Sequence, residues 1–138
     1  MSSDAYENPL TERYASPEMS ALFSARHKFA AWRRLWLWLA ESERELGLAI
    51  PEEALAALRA HLVPTDAELA AAERYERETK HDVMAQIHAL GDVAPEARPF
   101  LPLGAPSAFV GDHADLLGLR AALARLARRA VRALARLA

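Results

Sequence analysis

Apolar side chains recur three and four positions apart through most of the chain, and no stretch alternates with period two strongly enough to compete as a strand. The pattern predicts a succession of amphipathic helices. Residues 1–12 lack the period and read as a loose, flexible arm. Ser16-Pro17-Glu18 has the composition of a helix start, with a hydroxyl cap, a proline at the first helical position and an acid in the first turn. It opens a short helix reaching Phe23. Ser24 caps a longer one, in which Phe29, Trp32, Trp36 and Leu39 share a face. Arg33, Arg34, Glu41, Glu43 and Arg44 fall mostly elsewhere on the wheel. Leu35, Leu37 and Trp38 widen the apolar surface nearly all round, which predicts burial by the core or by a partner. The tryptophan stripe reads as core rather than as a ligand platform. Gly47 supplies the C-terminal stop.

Ile50-Pro51-Glu52-Glu53 begins the next helix, with Leu55, Leu58 and Leu62 on one face and Pro64 as its end. Thr65-Asp66-Ala67-Glu68 fits a capping box. The helix it opens carries Leu69, Ala72 and Tyr75 on one side and a solvated face of Glu73, Arg74, Glu76, Arg77 and Glu78. Helical propensity continues through His81 to Leu90, and Gly91 reads as the stop. Asp92 to Ser107 is rich in proline and reads as loop, with one helical turn around Glu96. After Ser107, Leu116, Leu119, Leu123, Leu126, Ala130, Leu134 and Leu137 follow a near-heptad seam flanked by arginines. That helix shows no stop signal before Ala138, and so reads as the front of something longer.

Composition narrows the function classes. The chain is 52% hydrophobic and 26% charged with a net charge of −2, a globular composition with no global pull toward nucleic acid or membrane. The absence of cysteine excludes disulfides, thiolate metal sites and a cysteine nucleophile, and suits a cytoplasmic home. The N-terminus lacks a secretory pattern. No cofactor motif is present: there is no glycine-rich phosphate loop, and Asp112, His113 and Asp115 lack the spacing of a metal site.

Candidate chemistry gathers in three short pieces. Glu78-Thr79-Lys80-His81-Asp82-Val83-Met84-Ala85 sets a cation, an imidazole and a carboxylate side by side. Arg13-Tyr14-Ala15-Ser16-Pro17-Glu18-Met19 lies near the N-terminus. Leu103-Gly104-Ala105-Pro106-Ser107, followed by Val110-Gly111-Asp112, lies in the one long non-helical stretch and at the helix start after it. In this order and at these separations, the three pieces and the Phe29–Leu48 helix resemble the N-terminal part of the adenylosuccinate lyase family, within the fumarase/aspartase superfamily. The resemblance covers roughly residues 9–138.

It implies an all-α fold: a small N-terminal helical domain over residues 13–110, then the first long helix of a central bundle from residue 111. It implies a carbon–nitrogen lyase that eliminates fumarate from adenylosuccinate, and from the succinylated imidazole carboxamide ribotide, in purine nucleotide biosynthesis. Arg13 and Tyr14 would bind the phosphate end of the nucleotide. Lys80, His81 and Asp82 would contact substrate, with His81 as an orienting group or auxiliary acid. Pro106 and Ser107 would stand at a succinyl carboxylate. A homotetramer with composite sites is implied, with no nucleic acid or membrane partner. The chain departs from the family pattern at Pro102 (a histidine in the family), at Pro106 (a threonine) and at Lys80 (more often arginine). Proline at 106 removes a hydroxyl and an N–H. The family's main acid and base lie in later motifs that this chain does not contain, so the chain alone is expected not to turn over. The alternative is a degenerate, non-catalytic helical module that binds a partner through its apolar faces. A third reading takes the arginine-rich last helix as a binder of anionic membrane or nucleic acid, and the negative overall charge ranks it last.

Overall fold

The computed structural model describes residues 8–101 and 103–137. Residues 1–7 of the expected arm, Pro102 and Ala138 lie outside the described residues. Within them the chain forms α-helices and one short 3-10 turn, with no strand, as an all-α fold requires.

The arm gives way to structure earlier than its sequence implied. Asn8 accepts hydrogen bonds from the amides of Leu10 and Thr11 and starts α1 (Pro9–Arg13), a cap signal followed by proline at the first turn. Ser16 caps α2 (Pro17–Leu22) through the Met19 amide. Ser24 caps α3 (Ala25–Glu45) through the His27 amide. At its far end Gly47 takes φ +102, while the Leu48 amide donates to the Glu43 carbonyl and the Gly47 amide to the Arg44 carbonyl, both at 3.0 Å. This Schellman arrangement needs a left-handed residue, which glycine supplies without a Cβ clash.

α4 (Glu52–Ala60) stops short of Pro64. Its last turn tightens, with the His61 amide donating to the Leu58 carbonyl, and the His61 carbonyl is taken by Arg33 Nη1 at 2.8 Å. The capping box at Thr65 forms as expected and opens α5 (Asp66–Thr79).

Two expectations change in the next stretch. Helix does not continue through His81: Lys80 adopts φ +54, and a separate α6 (Asp82–Val93) begins after it. Gly91 is not a stop but a buried position inside α6. A Cβ there would come within 2.8 Å of Arg98 Cδ, so glycine serves close packing of the Arg98 stem. After the 3-10 turn at Arg98–Phe100, α7 (Ser107–Leu137) runs to the end of the described chain.

α3 is the centre of the packing. It lies against α4 and along the first half of α7, α2 rests on α7, and α5 and α6 pair with each other. Trp32, Trp36, Leu55, Leu58, Ile87, Leu90, Leu101 and Val110 form one buried cluster. The Trp32 and Trp36 rings meet edge to face at 6.3 Å, so the tryptophan stripe is core, while Trp38 stays half exposed on another face. Arg33 corrects the wheel assignment, because it is only 1% exposed. The α4–α5 corner folds over it, and Nη1 donates to Glu68 Oε1 at 3.0 Å as well as to the His61 carbonyl. Burial lowers the Arg33 pKa, opposed by the Glu68 charge. Burial also works to raise the Glu68 pKa. The Thr65 hydroxyl and amide and the Arg33 guanidinium outweigh it and hold the carboxyl below its ordinary value.

Candidate functional site at the start of α6

The Lys80-His81-Asp82 piece forms the corner between α5 and α6, and its chemistry follows from that corner. Thr79 loosens the end of α5 by donating its hydroxyl to the Tyr75 carbonyl at 2.9 Å and accepting the His81 amide at 3.3 Å. Lys80 then turns left-handed, a conformation that costs a non-glycine residue about 1–2 kcal/mol. The turn places His81 in extended backbone as the cap of α6. His81 Nδ1 accepts the Met84 amide at 3.4 Å, and Asp82 Oδ1 accepts the Val83 amide at 2.8 Å. In the neutral ring an accepting Nδ1 puts the proton on Nε2. His81 is therefore set up as a donor to an incoming group. The Lys80 amide donates to the Glu76 carbonyl at 2.8 Å, while its side chain is exposed and makes no hydrogen bond or ion pair among the described residues.

The other pieces stand at two further ends. Arg13 and Tyr14 are exposed at the end of α1, with no side-chain hydrogen bond or ion pair among the described residues. Pro106 precedes α7 and its carbonyl accepts the Phe109 amide at 3.0 Å, while Ser107 heads the helix, exposed. Gly104 shapes this loop with φ +74, and the Glu43 carboxylate lies directly against it. Among the described residues no hydrogen bond or ion pair joins Arg13, Tyr14 or Ser107 to the 80–82 corner. Within this single chain no such bond ties the three pieces together.

One residue at the corner escaped the sequence reading. Lys28 Nζ, from α3, sits 3.8 Å from Asp82 Oδ2. The available signal was thin: Lys28 and Lys80 are the only lysines in an arginine-rich chain, and Lys28 lies one turn before Trp32. Lys28 also borders a cleft of about 320 Å³ between α2, α3 and α7, with His27, Asp115, Leu22, Ala31 and Leu119 around it. Two further histidines make local contacts. His88 lies on the Tyr75 ring at 5.2 Å and accepts from Arg98, and His113 donates Nδ1–H to the Phe109 carbonyl at 2.7 Å. Among the described residues no three acidic or histidine side chains converge as a metal site, and no helix is long and apolar enough to cross a membrane.

Fold and corner define an all-α module that presents an imidazole donor and unpaired cations at helix ends, a class of surface suited to anionic ligands. No protein-family profile matches the chain. Curated relatives do. The chain is 49% identical over 118 residues to the adenylosuccinate lyase of Saccharomyces cerevisiae, covering 85% of the chain and 24% of that protein. It is 43% identical over 135 residues to the adenylosuccinate lyase of Schistosoma mansoni, covering 98% of the chain and 28% of that protein. The adenylosuccinate lyase of Bacillus subtilis is more distant, at 31% over 105 residues. The chain belongs to the adenylosuccinate lyase family, and it spans about a quarter of the length of the curated relatives it matches.

Proposed function

We propose that this chain is the N-terminal part of an adenylosuccinate lyase and supplies substrate-binding groups to a site completed by other parts of the enzyme. The observation that carries the proposal is the 49% identity to a relative named for that activity, extending over 85% of the chain. The exposure of Arg13, Tyr14, Lys80 and Ser107 supports it, because a site drawn from several subunits needs each chain to present its groups outward. The same identity argues against the reading as a degenerate partner-binding module.

In this reading, Arg13 and Tyr14 meet the nucleotide phosphate, and Lys80 adds an unpaired cation. His81 donates its Nε2 proton to substrate near the reacting end. Ser107, with its hydroxyl and its backbone amide at the head of α7, holds a succinyl carboxylate. Elimination of fumarate removes a proton beside a carboxylate and protonates the departing nitrogen. The base and the main acid for those steps come from outside these residues, so the chain alone does not turn over. Pro106 offers neither hydroxyl nor N–H, which leaves Ser107 to bind that carboxylate with fewer donors than its family pattern supplies. The exposed leucine seam of α7 is covered in the assembled enzyme, a homotetramer in the cytoplasm.

The test is a chimera that joins this chain to the remaining segment of the yeast relative, assayed for fumarate release from adenylosuccinate. The chimera should be active, the chain alone inactive, and His81→Ala should lower the rate by about 100-fold. A folded chimera without activity, or an unaffected His81→Ala variant, refutes the proposal.

A further inference from the structure

The corner that carries His81 is tied to the core through a residue to which no role has been given. Lys28 projects from α3 over the Trp32 ring, with Nζ 4.7 Å from the ring centroid, and lies 5.5 Å from the Phe29 ring. Trp32 is among the most deeply buried side chains. The same ammonium reaches Asp82 Oδ2 at 3.8 Å. Asp82 in turn holds the Val83 amide with Oδ1, the oxygen 3.8 Å from His81 Nδ1. A continuous path therefore runs from the core tryptophan through Lys28 and Asp82 to the first turn of α6 and its histidine cap.

We propose that Lys28 is a positioning residue for the Lys80-His81-Asp82 corner, acting through Asp82, and that affinity for an anionic nucleotide substrate depends on it. The substrate part rests on the lyase reading above. By drawing the Asp82 carboxylate toward α3, Lys28 leaves His81 Nδ1 to cap the Met84 amide and Nε2 to donate. Both charged side chains are about half exposed, at 44% and 46%. Such a pair contributes little to global stability, so its consequence is orientation. The indole beneath it restricts where the ammonium can go, which an exposed ion pair otherwise lacks.

The experiment compares Lys28→Met and Lys28→Arg in this chain, by hydrogen exchange at individual amides and by calorimetric titration with adenylosuccinate. Methionine keeps the stem on Trp32 and removes the charge, and arginine restores the charge. Lys28→Met should speed exchange at Val83 and Met84 by about threefold and weaken affinity by a similar factor, with exchange at Leu90 and the melting temperature unchanged. Lys28→Arg should stay near wild type in both. A Lys28→Met variant that exchanges and binds as wild type does overturns the proposal, and so does a Lys28→Arg variant as impaired as the methionine. If the wild-type chain binds no adenylosuccinate, affinity is read in the chimera with the yeast segment, where failure of the wild type to bind counts against the lyase reading, and the exchange rates decide in either case whether Lys28 positions the corner.

Discussion

α3 and α7 are the two long helices of this chain, and both carry an apolar stripe at helical spacing. Their fates differ. α3 buries Trp32, Leu35, Trp36, Leu37 and Ala40, and even an arginine. α7 buries Val110, Ala114 and Ala122 but leaves Leu116, Leu119, Leu123, Leu126, Leu134 and Leu137 exposed. The contrast teaches that amphipathic spacing declares a face without saying whether the same chain covers it. α3 is met by α4 and by the first half of α7. Beyond Arg125, which lies 3.9 Å from Glu18 of α2, every described residue of α7 is exposed.

The largest break in this contrast is expected at the one charge that α3 buries. Arg33→Met leaves Glu68 inside without its cation, and removing one partner of a buried pair costs about 3–5 kcal/mol. Thermal melting measures the loss. Arg33→Met with Glu68→Leu should recover much of it, since an apolar pair of similar volume carries no desolvation penalty, although the Glu68 half of the capping box goes too. Next comes a matched truncation. Leu58→Ala, at a position 2% exposed, should cost about 2–5 kcal/mol. Leu123→Ala, at 64% exposed, should change the melting of this chain by less than about 0.5 kcal/mol. If Leu123→Ala destabilises as much as Leu58→Ala, the α7 seam is already covered by another copy in solution, and the contrast between the helices fails.

A smaller effect concerns pH. The Glu68 carboxyl is held below its ordinary value of 4.5 in the folded chain. A depressed folded pKa stabilises above the unfolded value, and the contribution is lost as pH falls through the folded one. Melting temperature should therefore decline below about pH 4.5. Glu68→Gln should start lower and show a shallower decline over that range, whereas an equally steep decline assigns acid sensitivity to other carboxylates.

How far the sequence could foretell these features depended on the range of the interactions. Local signals were legible. Ser16, Ser24 and Thr65 cap the helices they precede, and Gly47 ends α3 as a left-handed residue should. These rules involve residues at most five apart. Features that need two distant elements were not legible. Arg33 looks like a surface arginine until Glu68 and the His61 carbonyl arrive from the α4–α5 corner. Gly91 looks like a stop until Arg98 folds back on it. The motif of the candidate site was visible as a string of residue types, but its cap geometry and its tie to Lys28 were not. Helical propensity ran through Thr79 and His81 without marking that Lys80 would turn left-handed.

That turn sets the smallest and most specific prediction. Stability and function should pull apart at Lys80, as they need not in the packed centre of α3. Lys80→Gly removes the Cβ that makes φ +54 costly, a relief of about 1–2 kcal/mol. It also frees the unfolded chain, which offsets about 0.5–1 kcal/mol. The net expectation is a gain of about 0.5–1 kcal/mol, seen as a rise of a few degrees in melting temperature. The same variant loses an exposed cation that makes no ion pair among the described residues, so affinity for adenylosuccinate should fall. Lys80→Arg keeps both the charge and the strain and should melt as wild type does. A Lys80→Gly variant that melts lower than wild type means the left-handed turn is not strained. One that melts higher and binds equally well removes Lys80 from the substrate-binding groups and leaves His81 to act at that corner without it.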